Sequence, residues 1–347
     1  MVIAQALYRV LSVRRGTPEI HVLAPAWSKP VLERMPEVTR AIELAAVHGK
    51  VGLGARRRLG RALRGEGYAQ AIILPRSFKS ALVPFLARIP RRTGFRGEWR
   101  YGLLNDMRAF DPRKLNQTVK RFVALGAEAD GGELPAEFEP RLRVDRENLR
   151  GLEARLGLDG EEVVALMPGA EYGPAKQWPV EYFAELASRL AVAGAQVWVL
   201  GSAKERELGE AIKKRANHDQ VHDLCGETTL GDVVDLLGAA KVAVSNDSGL
   251  MHIAAAVDTH VVAIFGSSSP GFTPPLSQSK DVLYLDLECS PCFQRQCPLG
   301  HLRCLQEISV DTVSSVVFAA LETRASNGHA DTEASGDLSG PRRISGP

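Results

Sequence analysis

The stretch KVAVSNDSGLMHIAAA, residues 241–256, decides the fold class because two periodicities meet in it. After Lys241, residues 242–244 are apolar and rich in valine, so a buried strand is predicted at 241–244, and residues 250–256 have the spacing of a helix. Small and polar residues fill the turn between them. A strand, a tight turn and a helix make up part of a βαβ unit, whose strands pair in parallel.

The same alternation continues on both sides of this stretch. Strands are predicted at 163–167, 196–200, 260–265 and 282–285, and helices at 180–193, 204–216 and 230–237. Several of the strands end in glycine or Pro-Gly. Ligands of open α/β sheets bind at the carboxyl ends of the strands, so the turns there are the places to look for chemistry.

The N-terminal half shows a weaker form of the pattern. Strands are predicted at 20–23 and 71–74, and residues 128–145, rich in Glu, Pro and Gly, form the expected linker. We therefore predict an α/β protein with two Rossmann-like domains facing each other across a cleft. The expected divisions are a first domain at 1–145, a second domain at 146–325 and a disordered tail at 326–347.

Composition restricts the class of protein. The chain has 347 residues, of which 45% are hydrophobic and 24% charged, and this excludes collagen-like, coiled-coil and wholly disordered proteins. No apolar run reaches the length of a membrane span, and the N-terminus lacks the pattern of a secretory signal, so we expect a cytoplasmic protein. Its five cysteines should then be mostly reduced thiols.

Charge is divided unevenly along the chain. Residues 1–150 contain 28 Lys and Arg against 15 Asp and Glu, a net charge of +13, whereas the remainder carries −11. A basic half indicates an anionic partner, namely a nucleic acid, an anionic membrane surface or a phosphorylated substrate. An arginine-rich composition is also what a GC-rich genome produces. Few aromatic residues are interleaved with the arginines, which favours a phosphorylated or lipid-linked acceptor over nucleic acid.

The turn after the predicted strand 241–244 is the strongest candidate site. Backbone N–H groups at the start of the following helix can hold an anion such as a pyrophosphate. His252 lies one turn into that helix and could donate to a phosphate oxygen, whereas Asp247 suits a sugar hydroxyl. The alternative is that Asn246, Asp247 or Ser248 only caps the helix. Neither a G-x-G-x-x-G nor a P-loop motif occurs in the chain, which disfavours a dinucleotide oxidoreductase or a P-loop enzyme.

Two further groups of residues could bind anions. Lys176 lies close to a predicted helix start, where a cation is unfavourable unless an anion is also bound, although it could equally be a solvated lysine. In the basic half, arginine suits bidentate binding of phosphate or carboxylate, and the alternative there is a solvated basic face. The residues of this second group follow the predicted strand 71–74: Arg76, Lys79, Arg91, Arg92, Arg96, Arg100 and Arg108.

Four cysteines are clustered near the C-terminus: Cys289, Cys292, Cys297 and Cys304. The first two have the spacing of a zinc-binding pair, but the other two are spaced too unevenly for a zinc ribbon or knuckle. Packed thiols in a compact loop, or a labile disulfide, are the favoured interpretation, and a structural zinc site is the alternative.

Several stretches together resemble the ADP-heptose:lipopolysaccharide heptosyltransferases, glycosyltransferase family 9, over about residues 1–322. The resemblance rests on five segments: SFKSAL (77–82), RYGLLND (100–106), PGAEYGPAK (168–176), NDSGLMH (246–252) and CSPCFQRQCP (289–298). It implies the GT-B fold, with the donor in the C-terminal domain and the acceptor in the basic N-terminal domain. It further implies inverting, metal-independent transfer of heptose from ADP-heptose to the first heptose of the lipopolysaccharide inner core, with no cofactor.

The resemblance also assigns roles to residues. Lys176 is expected to contact the pyrophosphate, Glu205 the ribose and Thr228 the adenine. The heptose and the phosphates are expected to contact Asp247, Ser248, Gly249 and His252, and the loop of Ala170 and Glu171 should reach the donor. Lys79, Arg96 and Arg100 are the candidate acceptor contacts.

One departure from the family pattern concerns the N-terminus. The family begins with a strand and a Gly-Asp pair, whose aspartate is the expected general base, and both would precede Met1 and are absent here. A non-catalytic protein that binds nucleotide-sugars or lipopolysaccharide therefore stays an alternative, as does the acceptor specificity of heptosyltransferase I or III. The expected partners are ADP-heptose, a lipid A–Kdo–heptose acceptor and, transiently, the cytoplasmic face of the inner membrane, but not nucleic acid.

Overall fold

The computed structural model describes residues 1–14, 18–44, 52–127, 139–160 and 162–333. Helices and parallel strands alternate along it, which confirms the predicted α/β class. The strands are β1 (Ile20–Ala24), β2 (Val38–Glu43), β3 (Gln70–Ile73), β4 (Arg91–Phe95), β5 (Asp106–Arg108), β6 (Val163–Met167), β7 (Gln196–Val199), β8 (Val221–Asp223), β9 (Val242–Asn246), β10 (His260–Ile264) and β11 (Lys280–Leu283). The helices are α1 (Gln5–Arg14), α2 (Lys29–Glu33), α3 (Leu53–Ala62), α4 (Leu82–Leu86), α5 (Thr118–Gly126), α6 (Arg146–Leu156), α7 (Val180–Val192), α8 (Arg206–Ala216), α9 (Leu230–Ala239), α10 (Gly249–Ala256), α11 (Arg303–Gln306) and α12 (Val310–Glu333).

The C-terminal half is built on one parallel sheet with the strand order β11-β10-β9-β6-β7-β8. The chain enters at β6, adds β7 and β8 on one side, and then returns to place β9, β10 and β11 on the other. The direction of winding thus reverses between β6 and β9. In open α/β sheets a crevice forms at this reversal, and ligands bind there.

Apolar side chains fill both faces of this sheet. One buried cluster contains Trp178, Phe183 and the inner face of α12, and the other contains Trp198 together with residues of α9 and α10. Strands β6 and β9 are buried at every position, as the continuous apolar runs of the sequence predict for strands covered on both faces. Within the described part of the chain, no helix is both long enough and apolar enough to cross a bilayer.

In the N-terminal half, the strands form two separate parallel sheets. One holds β1 and β2, and the other holds β3, β4 and β5. The sequence predicts a Rossmann-like domain that lacks its first strand, and among the described strands β1 and β3 do not pair, so these strands form two groups. Helices α3 and α4 pack against each other, and the buried Leu63 and Val83 belong to an apolar cluster that also includes side chains of β1, β2 and β3.

The two halves are in direct contact. The backbone N–H of Leu142 donates to the carbonyl of Ala256 (2.8 Å), and Arg34 pairs with the buried carboxylate of Asp235 (2.5 Å). One apolar cluster contains residues from both sides of the predicted boundary at 145. Residues 128–138 of the predicted linker lie outside the described residues. Helix α12 continues to Glu333, so the segment expected to be a disordered tail begins as a helix, and 334–347 are not described.

Candidate functional site

The candidate donor residues lie at the carboxyl ends of four neighbouring strands. Ala170, Glu171 and Lys176 follow β6, Glu205 follows β7, and Thr228 follows β8. Asp247 to His252 follow β9, next to the loop after β10. Because neighbouring strands are about 4.8 Å apart, four strand ends extend over about 14 Å. This edge matches an elongated ligand, and it includes the crevice between β6 and β9.

Asn246 ties the two central loops together. Its side chain is fully buried at the end of β9. The Oδ1 atom accepts a hydrogen bond from the backbone N–H of Trp178 (2.9 Å), and Nδ2 donates to the carbonyl of Pro168 (2.8 Å). These bonds fix both ends of the loop that carries Lys176. The sequence suggests Asn246 only as a possible helix cap, so its positioning role is a finding of the structure.

Asp247 and Lys176 form an ion pair at the centre of the crevice. One carboxylate oxygen of Asp247 accepts hydrogen bonds from both Lys176 Nζ and Ser268 Oγ, the latter at 2.6 Å. Both charged side chains are largely buried, with 16% of the lysine and 6% of the aspartate exposed. The ring of Tyr172 lies 4.8 Å from Lys176 Nζ. The lysine is therefore not a solvated surface residue, and its ammonium group is held at the carboxyl ends of the paired strands β6 and β9.

His252 contributes a neutral imidazole to the same centre. Its pKa is lowered to about 4, mainly by burial and further by the positive charges of Met1 and Lys176, against the opposing effect of Asp247. Its Nδ1 atom is buried and has no hydrogen-bond partner among the described residues. A neutral imidazole has one donor nitrogen and one acceptor nitrogen. His252 can thus donate to a ligand oxygen at pH 7 without carrying charge.

Replacing His252 by glutamine should change how stability depends on pH. The folded-state pKa of about 4 lies below the ordinary value of 6.5, so the unfolded state binds more protons between these values. The parent chain should lose about 2–3 kcal/mol more unfolding free energy than the variant as pH falls from 7 to 4. Urea unfolding of both chains across this range measures the difference. Parallel pH profiles for the two chains would contradict the buried, neutral imidazole.

The N-terminus of α10 is free to bind an anion. Ser248 is the N-cap residue, but its side chain makes no capping hydrogen bond, and its Oγ lies 3.2 Å from Ser245 Oγ. A Cβ atom built on Gly249 would meet no atom within 4 Å. The cap residue therefore leaves the first N–H groups of the helix without a side-chain acceptor from Ser248, and they carry the partial positive charge of the helix end.

Gly249→Ala should separate folding from ligand binding. The new methyl group meets no protein atom, so stability should stay unchanged or rise by about 0.5 kcal/mol, because alanine favours the helix. ADP affinity should nevertheless fall about tenfold, a loss of about 1.4 kcal/mol, because the methyl group occupies ligand space. Calorimetric titration with ADP and a thermal melt test both effects. Gly151→Ala is the matched control: this glycine of α6 also has open space around it and lies away from the crevice.

The far end of the edge has the features expected for the nucleoside. Glu205 accepts hydrogen bonds from the backbone N–H and the hydroxyl of Ser202, which fixes its carboxylate beside Gly169 and Gly201. The hydroxyl of Thr228 is buried without a partner among the described residues. Glu171 is exposed and pairs with Lys204 at 3.0 Å. The structure therefore places the predicted donor residues along one edge, with Glu171 at its outer rim.

The candidate acceptor residues differ in their surroundings. Arg96 is exposed and lies against Tyr101, and Lys79 is partly exposed in the turn after β3. Arg100, by contrast, is only 1% exposed and donates to the carbonyls of Pro75 (2.8 Å) and Phe95. Its guanidinium therefore helps to hold the backbone here, although Nε has no partner among the described residues, and the contact of Arg100 with the acceptor stays a prediction. The general base that the resemblance puts ahead of Met1 lies outside this chain and stays a prediction.

The cysteine segment forms a separate feature. Cys289, Cys292, Cys297 and Cys304 are free thiols that line one small cavity with His301. Burial, and the charge of the other three cysteines, raise the pKa of Cys304, whereas backbone N–H groups lower that of Cys297. Over the described ranges, no group of three or more Cys, His, Asp or Glu residues has the geometry of a metal site.

Comparison with known proteins identifies the family. The profile of glycosyltransferase family 9 (heptosyltransferase) matches residues 56–303. The chain belongs to glycosyltransferase family 9. It is 47% identical to lipopolysaccharide heptosyltransferase 2 of Salmonella typhimurium, and the match covers 82% of this chain and 84% of that protein. This family membership confirms the resemblance on which the site residues were assigned.

A solved structure shows the same overall arrangement. The E. coli ADP-heptose heptosyltransferase II structure superposes with a TM-score of 0.84 at 41% identity, over 94% of this chain and 96% of that one. The match confirms the GT-B fold. Lipopolysaccharide heptosyltransferase 1 of Pseudomonas aeruginosa is 34% identical, but the match covers only 41% of each chain. In sequence, the Salmonella heptosyltransferase 2 thus matches a larger share of this chain than the Pseudomonas heptosyltransferase 1 does.

Proposed function

We propose that this family 9 chain transfers heptose from ADP-heptose to the first heptose of the lipopolysaccharide inner core, with inversion at the anomeric carbon. The observation that carries the proposal is the largely buried Lys176–Asp247 pair at the crevice between β6 and β9. Beside it lie the neutral His252 and the uncapped start of α10. A cation (Lys176), a neutral hydrogen-bond donor (His252) and a carboxylate suited to a sugar hydroxyl (Asp247) therefore lie together. A sugar bound to a diphosphate requires these three kinds of group.

The arrangement of charges suits a leaving nucleoside diphosphate. Negative charge grows on the phosphate oxygens as the bond to the sugar breaks, and preorganised donors that face this charge lower the barrier. Lys176 Nζ, His252 and the N–H groups of α10 supply such donors without a metal, so we propose a metal-independent reaction with no cofactor. Asp247 is held by Lys176 and Ser268, an arrangement that orients its carboxylate toward a sugar hydroxyl.

The basic N-terminal half supports a phosphorylated, lipid-linked acceptor. Residues 1–150 carry a net charge of +13, and Arg96 and Lys79 lie in turns that follow β4 and β3. We place the acceptor sugars at these turns, at the cytoplasmic face of the membrane that holds the lipid.

The deciding experiment is a transfer assay with defined acceptors. The chain is incubated with ADP-heptose and a lipid A–Kdo acceptor carrying either one heptose or none, and products are identified by mass spectrometry. We expect one added heptose on the heptose-bearing acceptor alone, with activity unchanged by EDTA. Transfer to the heptose-free acceptor would indicate heptosyltransferase I specificity. ADP binding without any transfer would indicate the non-catalytic alternative, and loss of activity with EDTA would contradict the metal-independent mechanism.

Arg96→Ala should weaken acceptor use and leave the donor site intact. Its exposed guanidinium is free to bind phosphate in a bidentate manner, so its loss should raise the acceptor KM about tenfold, equivalent to about 1.4 kcal/mol. Steady-state kinetics give the acceptor KM, and calorimetry gives ADP affinity, which should not change. The exposed Arg150 of α6, on the other half of the chain, provides the control substitution. A fall in ADP affinity would contradict the division of roles between the two halves.

A further inference from the structure

A small cavity in the C-terminal half is surrounded by thiols, and no step of the proposed transfer uses them. The cavity has a volume of about 20 Å³, which is room for about one water molecule. Burial raises the pKa of Cys304, and so do the charges of the other three sulfurs, which requires that all four lie near one another. The first condition for a disulfide, proximity, is therefore met. The four free thiols in the wall are Cys289, Cys292, Cys297 and Cys304.

The sulfur of Cys297 is surrounded by backbone donors. Four backbone N–H groups lower the pKa of this thiol because they stabilise its thiolate form, that of Leu302 most and then those of residues 299–301. Gly300 and Leu302 both have left-handed backbone conformations, with φ angles of 72° and 48°. Such turns direct successive N–H groups to one point and form a concave anion site. Cys297 is also partly exposed, so a reagent in solution can reach it.

The other thiols of the cavity are of two kinds. Cys304 is only 8% exposed, and burial raises its pKa, so its thiolate is disfavoured and it is a poor nucleophile. Cys289 and Cys292 are partly exposed and have the Cys-x-x-Cys spacing that is common in redox-active proteins. A stabilised thiolate that attacks first, and accessible thiols that attack second, are what disulfide exchange requires.

The cysteine segment, residues 289–304, supports the loop that carries Lys176. The carbonyl of Arg295 accepts a hydrogen bond from the backbone N–H of Ala175, the residue before Lys176 (3.1 Å). The hydroxyl of Tyr172 donates to the carbonyl of Phe293. The ring of Tyr172 also lies between two cations, 4.8 Å from Lys176 Nζ and 5.4 Å from the guanidinium of Arg295.

The same segment contacts the loop after β10. The backbone N–H of Phe293 donates to the carbonyl of Ser267 (2.7 Å), the residue before Ser268. Ala175 and Ser267 both line the thiol cavity. Movement of the cavity wall therefore reaches residues adjacent to both side chains that donate to Asp247.

These contacts leave little free space. A Cβ atom built on Gly173 would lie 2.6 Å from the carbonyl oxygen of Arg295, closer than Cβ atoms approach other atoms. Phe293 has a left-handed backbone with φ of 54°, which a bulky side chain adopts only where its surroundings impose it. The cysteine segment consequently cannot change conformation without moving the loops that pack against it.

We propose that Cys297 is a nucleophilic thiol that reacts with small disulfides and then closes an internal disulfide with Cys289 or Cys292. The Cys297 thiolate attacks one sulfur of the reagent, whose S–S bond breaks, and half of the reagent leaves as a thiolate. The second cysteine loses its proton to water, attacks the sulfur of Cys297 and releases the other half. Two protein thiols are thereby oxidised, and one molecule such as glutathione disulfide is reduced to two thiols.

Closure of this disulfide draws the cavity wall together and displaces the loops of Lys176 and Ser268. ADP binding should weaken as a result, and added thiol should restore it, because each exchange step is reversible. The thiol reactivity follows from the cysteine segment alone, and only the effect on ADP rests on the proposed function.

The first test maps the sulfurs after oxidation. The reduced full chain is incubated with glutathione disulfide at pH 7, alkylated and digested, and its linkages are read by mass spectrometry. We expect Cys297 in a mixed disulfide at early times, and linked to Cys289 or Cys292 later. Cys225, which lies outside the cavity and is 1% exposed, should stay a free thiol. Thiols that all stay free, or a disulfide that excludes Cys297, would overturn the proposal.

Serine variants separate the two exchange steps. Cys297→Ser should react with glutathione disulfide at least about tenfold more slowly than the parent chain. The double variant Cys289→Ser/Cys292→Ser should form the mixed disulfide at the parent rate but no internal disulfide, and thermal melts check that both variants fold. An unchanged rate in Cys297→Ser would overturn the proposal. Zinc that copurifies at one equivalent and protects the thiols would do so too, because it would assign the cluster to a metal.

The second test measures the loops without a donor. Hydrogen exchange over residues 168–178 should be faster in the oxidised chain, whereas exchange in α8 should not change. Equal exchange in the two states would overturn the coupling between cavity and crevice. Calorimetry should show at least about tenfold weaker ADP binding after oxidation, restored by dithiothreitol. A reduced chain that does not bind ADP would contradict the proposed function, while the sulfur map and the exchange data would still decide this proposal.

Discussion

Lys176→Ala should lower kcat/KM for ADP-heptose by about 10²–10³, the effect of removing one preorganised donor from a developing negative charge. The ammonium group lies in a crevice with only 16% of the side chain exposed, where water screens its charge weakly. No other lysine or arginine among the described residues bonds to Asp247, so this position has no obvious substitute. Steady-state kinetics with varied donor, together with ADP titration calorimetry, measure the loss.

The controls separate catalysis from folding. Removing Lys176 leaves the carboxylate of Asp247 with Ser268 as its side-chain donor, so the variant should also lose about 1–3 kcal/mol of stability. Lys176→Gln keeps a hydrogen-bond donor for Asp247 but no charge, and it should retain more stability while remaining as inactive. Lys204→Ala removes an exposed lysine that pairs with Glu171, and its kcat/KM should stay within about fivefold of the parent. Equal effects at Lys176 and Lys204 would contradict the assigned site.

The C-terminal half could be predicted from the sequence because its signals are local. The run 241–256 contains a strand, a polar turn and a helix without a side-chain cap. The apolar residues of the strand are continuous because both faces of the sheet are covered. The position at which each strand ends can also be predicted from the local sequence. Lys176 and Asp247 could therefore be assigned to one edge, although 71 residues separate them.

The long-range contacts of the site could not be predicted from the sequence. The bond from Ser268 to Asp247 and the two bonds of Asn246 depend on how β6, β9 and β10 align, and nothing in the residue spacing encodes that alignment. Arg100 shows the opposite failure. Its neighbours Trp99 and Tyr101 are exposed, so a surface arginine is expected between them, but two carbonyl acceptors hold its side chain inside. A hydrogen-bond acceptor on another segment carries no signature in the sequence.

The contact between the two halves depends both on a local residue preference and on long-range packing. Asp145 is the N-cap of α6, a position that favours aspartate, and it accepts hydrogen bonds from the backbone N–H groups of Glu147 and Asn148. That its own backbone N–H donates to Asp235 could not be foreseen (2.7 Å). Asp235 lies in α9 with no side-chain exposure, and Arg34 of the N-terminal half reaches it at 2.5 Å. This buried carboxylate is the point where α2, α6 and α9 meet.

Asp235→Ala should reduce the unfolding free energy by about 3 kcal/mol, near the lower limit for breaking a buried ion pair, because Arg34 keeps a weaker partner in Asp145 at 3.4 Å. Urea unfolding at pH 7 measures the loss. Asp311→Ala removes an exposed carboxylate paired with Arg189, and it should change stability by less than about 1 kcal/mol.

The shape of the unfolding transition tests whether the substitution weakens the contact between the halves or one of the cores. Arg34 and Asp235 lie on opposite sides of the boundary at 145, so the variant weakens the contact between the halves more than either core. We expect the parent chain to unfold in one step and Asp235→Ala to unfold in two, with the N-terminal half first, since its strands are divided between two small sheets. ADP binds the C-terminal half in the proposed function, so saturating ADP should raise the midpoint of the second step and leave the first unchanged. A single transition that shifts as a whole with ADP would show that the pair stabilises one cooperative unit instead.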